Sequence, residues 1–251
     1  MTESFDESRG FLKADLWYHR RSFETDQRRG VPMPPVQLGS PPDAPVIKLP
    51  AVEGLSIGQM PLAQAIAQRQ SHRRFRDEPL SLDELSFLLW ATQGVRGKPR
   101  ENAPVLRTVP SAGCRHPFET YLVVRHVEGV DAGIYRYLPL EHQLGLLRAV
   151  EDLSDAMTSS CMGQSFVADG AVVLVWTVLP YRSEWRYGPV AHKVIAIDVG
   201  HVCQNLYLAC EALGLGTCAI GAYDQEQMDA LVGVDGQDEF TVYLAPVGRP
   251  A

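Results

Sequence analysis

Four short stretches of this 251-residue chain combine residue types that can do chemistry. The densest is Arg69-Gln70-Ser71-His72-Arg73-Arg74-Phe75, extended by Arg76. Guanidinium groups beside a hydroxyl are charge-assisted donors for a phosphate. The same run also suits a solvated basic helix end facing the helix dipole. The second is Pro110-Ser111-Ala112-Gly113, a turn that lets a flat ligand approach the backbone with a hydroxyl at hand, or an ordinary turn. It is not a nucleophile elbow, because Gly-x-Ser-x-Gly is absent. The third is Trp185-Arg186-Tyr187-Gly188. Its phenol can act as a general acid or base beside a guanidinium, or the segment is a surface loop with a packed tryptophan.

The fourth, Gly214-Leu-Gly216-Thr-Cys-Ala219, spells the dinucleotide fingerprint Gly-x-Gly-x-x-Ala. A Rossmann site needs a strand before that string and a helix after it. Here a helix precedes and a strand-like segment follows, so an NAD-binding Rossmann site is rejected. The glycines are expected to end the helix and let backbone amides face a planar group. The seven histidines include no His-x-x-x-His pair, and no metal site is expected. Five cysteines, an odd count without Cys-x-x-Cys, suggest neither a disulfide framework nor a zinc ribbon, and point to a reducing cytosol. Cys203 and Cys210 read as packing; Cys218 is buried or touches a ligand.

Periodicity supplies the elements that position these stretches. A helix starts at Pro61 with Leu62, Ala65 and Ile66 on one face and ends near Gln70. Ser81-Leu-Asp-Glu84 is a capping box for a helix through Thr92, stopped by Gly94. Strands are expected over 120–125, 133–138, 171–178 and 240–246. A long helix runs from Asp198 to Leu213 with Gly214 just past its end, and Asp224 opens another. Helices and strands without regular βαβ alternation give an α+β fold.

Residues 1–50 form a polar N-terminal segment followed by a proline-rich arm. The segment holds Trp17-Tyr18-His19-Arg20-Arg21, a short helix that docks on a neighbour. Seven prolines over 32–50 favour an extended course along a surface. The arm is expected to wrap a partner subunit or flank the mouth of the site. Residues 51–251 form one domain. A net charge of −7 argues against a non-specific nucleic-acid binder. The opening Met-Thr-Glu-Ser-Phe-Asp-Glu-Ser is not a secretory signal, and Ala171–Leu179 is too short to span a membrane.

In this order and spacing the motifs resemble the nitroreductase superfamily of flavin enzymes, and within it the SagB-type azoline dehydrogenases. The likeness is carried by Ser81-Leu-Asp-Glu-Leu-Ser-Phe-Leu-Leu-Trp-Ala-Thr-Gln-Gly-Val95, Arg107-Thr-Val-Pro-Ser-Ala-Gly113, Ile197-Asp-Val-Gly-His-Val-Cys-Gln-Asn-Leu206 and Leu244-Ala-Pro-Val-Gly-Arg-Pro250. It implies an α+β, FMN-dependent fold with a central, mostly antiparallel sheet flanked by helices. It also implies an intertwined homodimer with FMN at the subunit interface. On this resemblance Arg69, Gln70, Ser71 and Arg73 hold the FMN phosphate and ribityl chain, with Arg249 a further phosphate ligand. Pro110, Ser111 and Ala112 reach the flavin of the partner. Ala219, Ile220 and Gly221 lie along the ring near N5, and Gln164 contacts the ring edge or substrate. Tyr187 with Arg186 is the acid-base pair.

The branch commonly has Lys-Tyr where this chain has Arg186-Tyr187, and arginine does not release its proton as lysine can. Ala219 and Ala222 stand where the branch often has Pro and Gly. The implied activity is oxidation of a thiazoline or oxazoline, peptide or carrier-bound, to the azole in natural-product biosynthesis. An NAD(P)H-dependent nitro or quinone reductase and a non-catalytic partner subunit are the alternatives. The implied location is the cytoplasm, with neither nucleic acid nor membrane as partner.

Overall fold

The computed structural model describes residues 5–41, 43–97, 103–150 and 152–251. Met1–Ser4, part of the opening read against a signal, and Pro42 of the arm lie outside the described residues. In chain order the elements are α1 (Asp6–Leu12), β1 (Val46–Lys48), α2 (Leu62–Gln68), β2 (Phe75–Arg76), α3 (Leu82–Gln93), β3 (Phe118–Val124), β4 (Gly133–Leu138), β5 (Gln143–Ala149), α4 (Ser154–Ser160), β6 (Val172–Val178), α5 (Tyr181–Tyr187), α6 (Ala191–Ala212), β7 (Gly216–Thr217), α7 (Gln225–Val232) and β8 (Phe240–Pro250). The strands form one sheet in the order β1-β5-β4-β3-β6-β8-β2, with β7 on β8. Every strand pair is antiparallel, so the α+β expectation holds.

β6 is buried along its whole length, as its unbroken Val/Leu/Trp run requires of a central strand. Alternate residues face opposite ways. Leu174 and Trp176 join the core beneath α3 and α6, while Val173 and Val175 join the core beneath α4 and α7. The Ser81 hydroxyl accepts the Glu84 N–H and the Glu84 carboxylate accepts the Ser81 N–H, completing the capping box of α3. α6 begins at Ala191, seven residues before the expected start, directly after the Gly188-Pro189 break. On α2 only Ala65 is buried. Leu62 and Ile66 remain 64% and 58% exposed, so that part of the predicted apolar face is left uncovered among the described residues.

The proline-rich arm is gripped by buried charges. Arg107 donates to the Val36 carbonyl (2.7 Å), the Glu119 carboxylate accepts the Leu38 N–H (2.8 Å), and Arg136 donates to the Gly39 carbonyl. Glu119 also pairs with buried Arg182. The arm thus lies on its own chain and supplies the backbone partners that buried charged side chains need. Ahead of it, the Trp185 indole N–H donates to the Val31 carbonyl and the Tyr181 hydroxyl to Asp26. Among the described residues no helix is long and apolar enough to cross a membrane.

Candidate active site

The expected site residues fall into two clusters on either side of α6. The first forms where the chain leaves α2. Arg69 caps that helix, and its guanidinium lies 5.4 Å from the ring centroid of Tyr207 on α6. Ser71 Oγ is 2.9 Å from Tyr207 Oη. The same phenol oxygen accepts the Ala219 N–H at 2.9 Å. The His72 N–H donates to the Thr217 carbonyl (2.9 Å), which ties this segment to β7. Gly216 permits that approach, since a Cβ there would stand 2.8 Å from the His72 side chain. Gln70 and Arg73 are exposed, and neither side chain has a hydrogen bond or ion pair among the described residues. Donors without acceptors suit an anion.

Arg249, expected at the phosphate, sits across from Arg76 in the β2–β8 pair. Its guanidinium is held by Glu84 (3.0 Å) and Glu78 (3.7 Å), so it reaches an anion only by exchanging those carboxylates. Gln164 donates its amide hydrogens to the Cys161 and Ala222 carbonyls, bracing the loop after Gly221. Within 219–221 the amides differ. Ala219 donates to Tyr207 and Ile220 to the Leu244 carbonyl (2.8 Å). The Gly221 N–H has no acceptor among the described residues. Gly221 borders a largely apolar cavity of about 520 Å³ lined by Ile195, Val199, Phe240, Val242 and Tyr243.

The second cluster gathers around the turn at 110–113. The Asp198 carboxylate on α6 accepts the Ala112 N–H (3.0 Å), and Ser111 Oγ accepts the His116 N–H (2.9 Å). Burial raises the pKa of Asp198, against the pull of Ser111, the Ala112 amide and His201. Gly113 has φ +57°, and a Cβ there would lie 2.6 Å from the Tyr187 hydroxyl and 2.7 Å from Arg186 Nε. Tyr187, Arg186 and the turn therefore form one unit, closed against a glycine. Tyr187 is buried at the end of α5, not in a loop, and Arg186 lies over its ring at 5.6 Å. Trp17, of the segment expected to dock on a neighbour, meets Tyr187 edge-on.

Asp198 and Tyr207 anchor these two clusters. They are nine residues apart, which on an α-helix is about 14 Å along the axis and about half a turn around it. One chain therefore carries the two clusters on opposite sides of α6. The sequence gives Asp198 only as the expected start of the long helix and assigns neither it nor Tyr207 to the site. Two polar groups on the two edges of the buried face of a long helix were the available signal. Cys161, Cys203, Cys210 and Cys218 are buried, and all five cysteines are free thiols. Burial pushes the Cys203 thiol up to about 12. Among the described residues no three His, Cys, Asp or Glu gather as a metal site would require.

The structure thus combines an antiparallel sheet flanked by helices, an exposed arginine-serine cluster and the Gly221 amide beside an apolar cavity. The chain belongs to the nitroreductase family, a family of oxidoreductases, whose pattern matches residues 66–249. It is 33% identical over 207 residues to a protein described as a nitroreductase from Methanocaldococcus jannaschii, covering 82% of this chain and 98% of that one. It is 34% identical over 113 residues to the trifolitoxin-processing protein TfxB of Rhizobium leguminosarum bv. trifolii, covering 43% of this chain and 30% of that one. The fold superposes with a TM-score of 0.62 on a chain of the E. coli microcin synthetase McbBCD complex with truncated pro-MccB17 bound. There the identity is 18%, and 99% of this chain and 98% of that one are covered.

Proposed function

We propose that the protein is an FMN-dependent dehydrogenase that oxidises a thiazoline or oxazoline in a peptide or carrier-bound intermediate to the azole. The observation that carries this reading is the packing of Tyr187 and Arg186 against Gly113, which puts a phenol and a fixed cation on the turn at 110–113. Likeness to proteins named for trifolitoxin processing and microcin synthesis supports the substrate class. The residues fit FMN: Arg69, Ser71 and Arg73 offer donors for its phosphate, and the Gly221 N–H stands beside an apolar cavity suited to the ring.

When bound, the flavin supplies a hydride acceptor. The chain supplies the rest. Tyr187 takes the proton lost from the azoline ring, and the Arg186 guanidinium over its ring holds a cation beside it. The Gly221 N–H, at the cavity, would supply a donor to negative charge on a bound ring. Because the half-sites lie on opposite sides of α6, a second copy joins them, Tyr187 of one protomer serving the phosphate cluster of its partner. Exposed Leu62, Ile66 and Ile197 give that copy an apolar surface.

Purified protein should absorb near about 450 nm, the band of a loaded flavoprotein. Stopped-flow reduction by an azoline peptide but not by NADPH supports the dehydrogenase. Rapid reduction by NADPH instead favours a nitro or quinone reductase, the reading that likeness to the archaeal protein supports.

A further inference from the structure

We propose that Tyr207 is a positioning residue that aims the Ser71 hydroxyl at a phosphate and holds the 219–221 segment in register with it; this rests on the flavin reading above. Tyr207 Oη lies 2.9 Å from both Ser71 Oγ and the Ala219 nitrogen. The amide can only donate, so the phenol oxygen accepts from Ala219. A phenol has one proton, and the one protein acceptor within reach among the described residues is Ser71 Oγ. The opposite polarity, with Ser71 donating, leaves the phenol proton of this half-buried residue without a protein partner. Tyr207 therefore donates to Ser71, and the serine's own proton is free to point outward beside Arg69 and Arg73. That is the polarity an anion requires.

The ring has a second task. Arg69 stacks on it, so the guanidinium stands on the same side chain that orients the serine. The link to Ala219 extends the network to the ring-facing segment. Ala219 is anchored by Tyr207 and Ile220 by Leu244, which leaves the Gly221 amide as the donor at the cavity. His72 on Thr217 and Gly216 zips the two segments from the other side. One hydroxyl thus joins the residues facing the phosphate to the amide facing the ring.

The test is Tyr207→Phe, which keeps the ring under Arg69 and removes only the hydroxyl. Apoprotein is titrated with FMN and with riboflavin, which lacks the phosphate, and the midpoint potential of bound FMN is measured. Loss of one oriented hydrogen bond should weaken FMN about fivefold to tenfold. Riboflavin affinity should stay within about twofold. The potential should become more negative as the Gly221 amide loosens. Ser71→Ala should reproduce the FMN-specific loss without the change in potential, and carries the contrast where Tyr207→Phe does not fold. Equal weakening of FMN and riboflavin, or no change in either, overturns the inference. Wild-type protein that binds neither flavin overturns the flavin reading itself, and this inference with it.

Discussion

The indole of Trp17 meets the ring of Tyr187 edge-on, with centroids 6.0 Å apart and planes at 64°. Trp17 comes from the polar N-terminal segment, and Tyr187 ends α5. The segment therefore flanks the proposed acid-base residue of its own chain. An edge-to-face pair contributes about 0.5–1.5 kcal/mol beyond the area it buries. Trp17→Ala should leave FMN affinity unchanged and lower kcat for azoline oxidation several-fold, while Trp17→Phe restores most of it. An unchanged kcat in steady-state assays of Trp17→Ala would show that Tyr187 needs no such support.

The arm makes a stronger demand. Arg107, Glu119 and Arg136 are nearly inaccessible, and each bonds to the backbone of residues 36–39. A chain beginning at Ala51 leaves all three without those partners. Each unmet buried group costs about 1–3 kcal/mol, more where it is charged. The sum approaches the whole stability of an ordinary domain. The truncated chain should be insoluble or unfold at a much lower urea midpoint than the full chain, read by circular dichroism.

Much of this fold is written locally. The capping box at Ser81 and Glu84 and the Asp224 cap of α7 depend on residues three apart, and both form as read. β6 is legible because a β-branched run of that length has few other uses. β5, with Gly145 in Gln143–Ala149, lacks such a run and is defined by its register on β4. The first seven residues of α6 escape for a related reason, as their helicity follows from packing against α5 and the N-terminal segment. The arginine-serine cluster was visible as a motif, but its register was not. Ser71 and Tyr207 are 136 residues apart, and only the tertiary fold brings their hydroxyls together.

Gly113 offers a sharper probe of the turn. Its φ of +57° favours glycine, and the place of a Cβ is already taken by the Tyr187 hydroxyl and Arg186. Gly113→Ala should displace the acid-base pair and cost about 1–3 kcal/mol in backbone strain. Azoline oxidation should fall far more than FMN affinity. Comparable losses in both, measured by kinetics and fluorescence titration, would place the turn at the cofactor rather than at the proton transfer.

His116 gives the structure an acid limit. Burial, with Arg107 and Arg115 nearby, lowers its pKa from 6.5 to about 3. Below pH 6.5 the unfolded chain takes up this proton and the folded chain does not. Stability from this group is therefore complete above about pH 6.5 and is lost progressively as pH falls toward about 3, by up to a few kcal/mol. Because the His116 N–H holds Ser111 Oγ, the turn should loosen as the fold weakens. His116→Gln should flatten the dependence of the urea midpoint on pH between about 6.5 and 4. A slope unchanged from wild type would assign the acid limit to other groups.

The placement of Asp198 and Tyr207 on opposite sides of α6 makes the shared site testable without a structure of the complex. If the phosphate cluster of one protomer works with Tyr187 of the other, Arg73→Ala and Tyr187→Phe each inactivate a different half of every site. A dimer of one variant with the other has one site with both halves broken and one with both intact. Random exchange makes about half the dimers mixed, so mixing two inactive proteins should recover roughly a quarter of wild-type activity. FMN content should recover in the same preparation to no more than the Tyr187→Phe share supplies. A site contained within one chain has no such route, because each protomer carries its own defect whatever its partner. Mixed samples that exchange subunits, shown by two affinity tags co-eluting, yet stay inactive would therefore place both half-sites in the service of a single protomer.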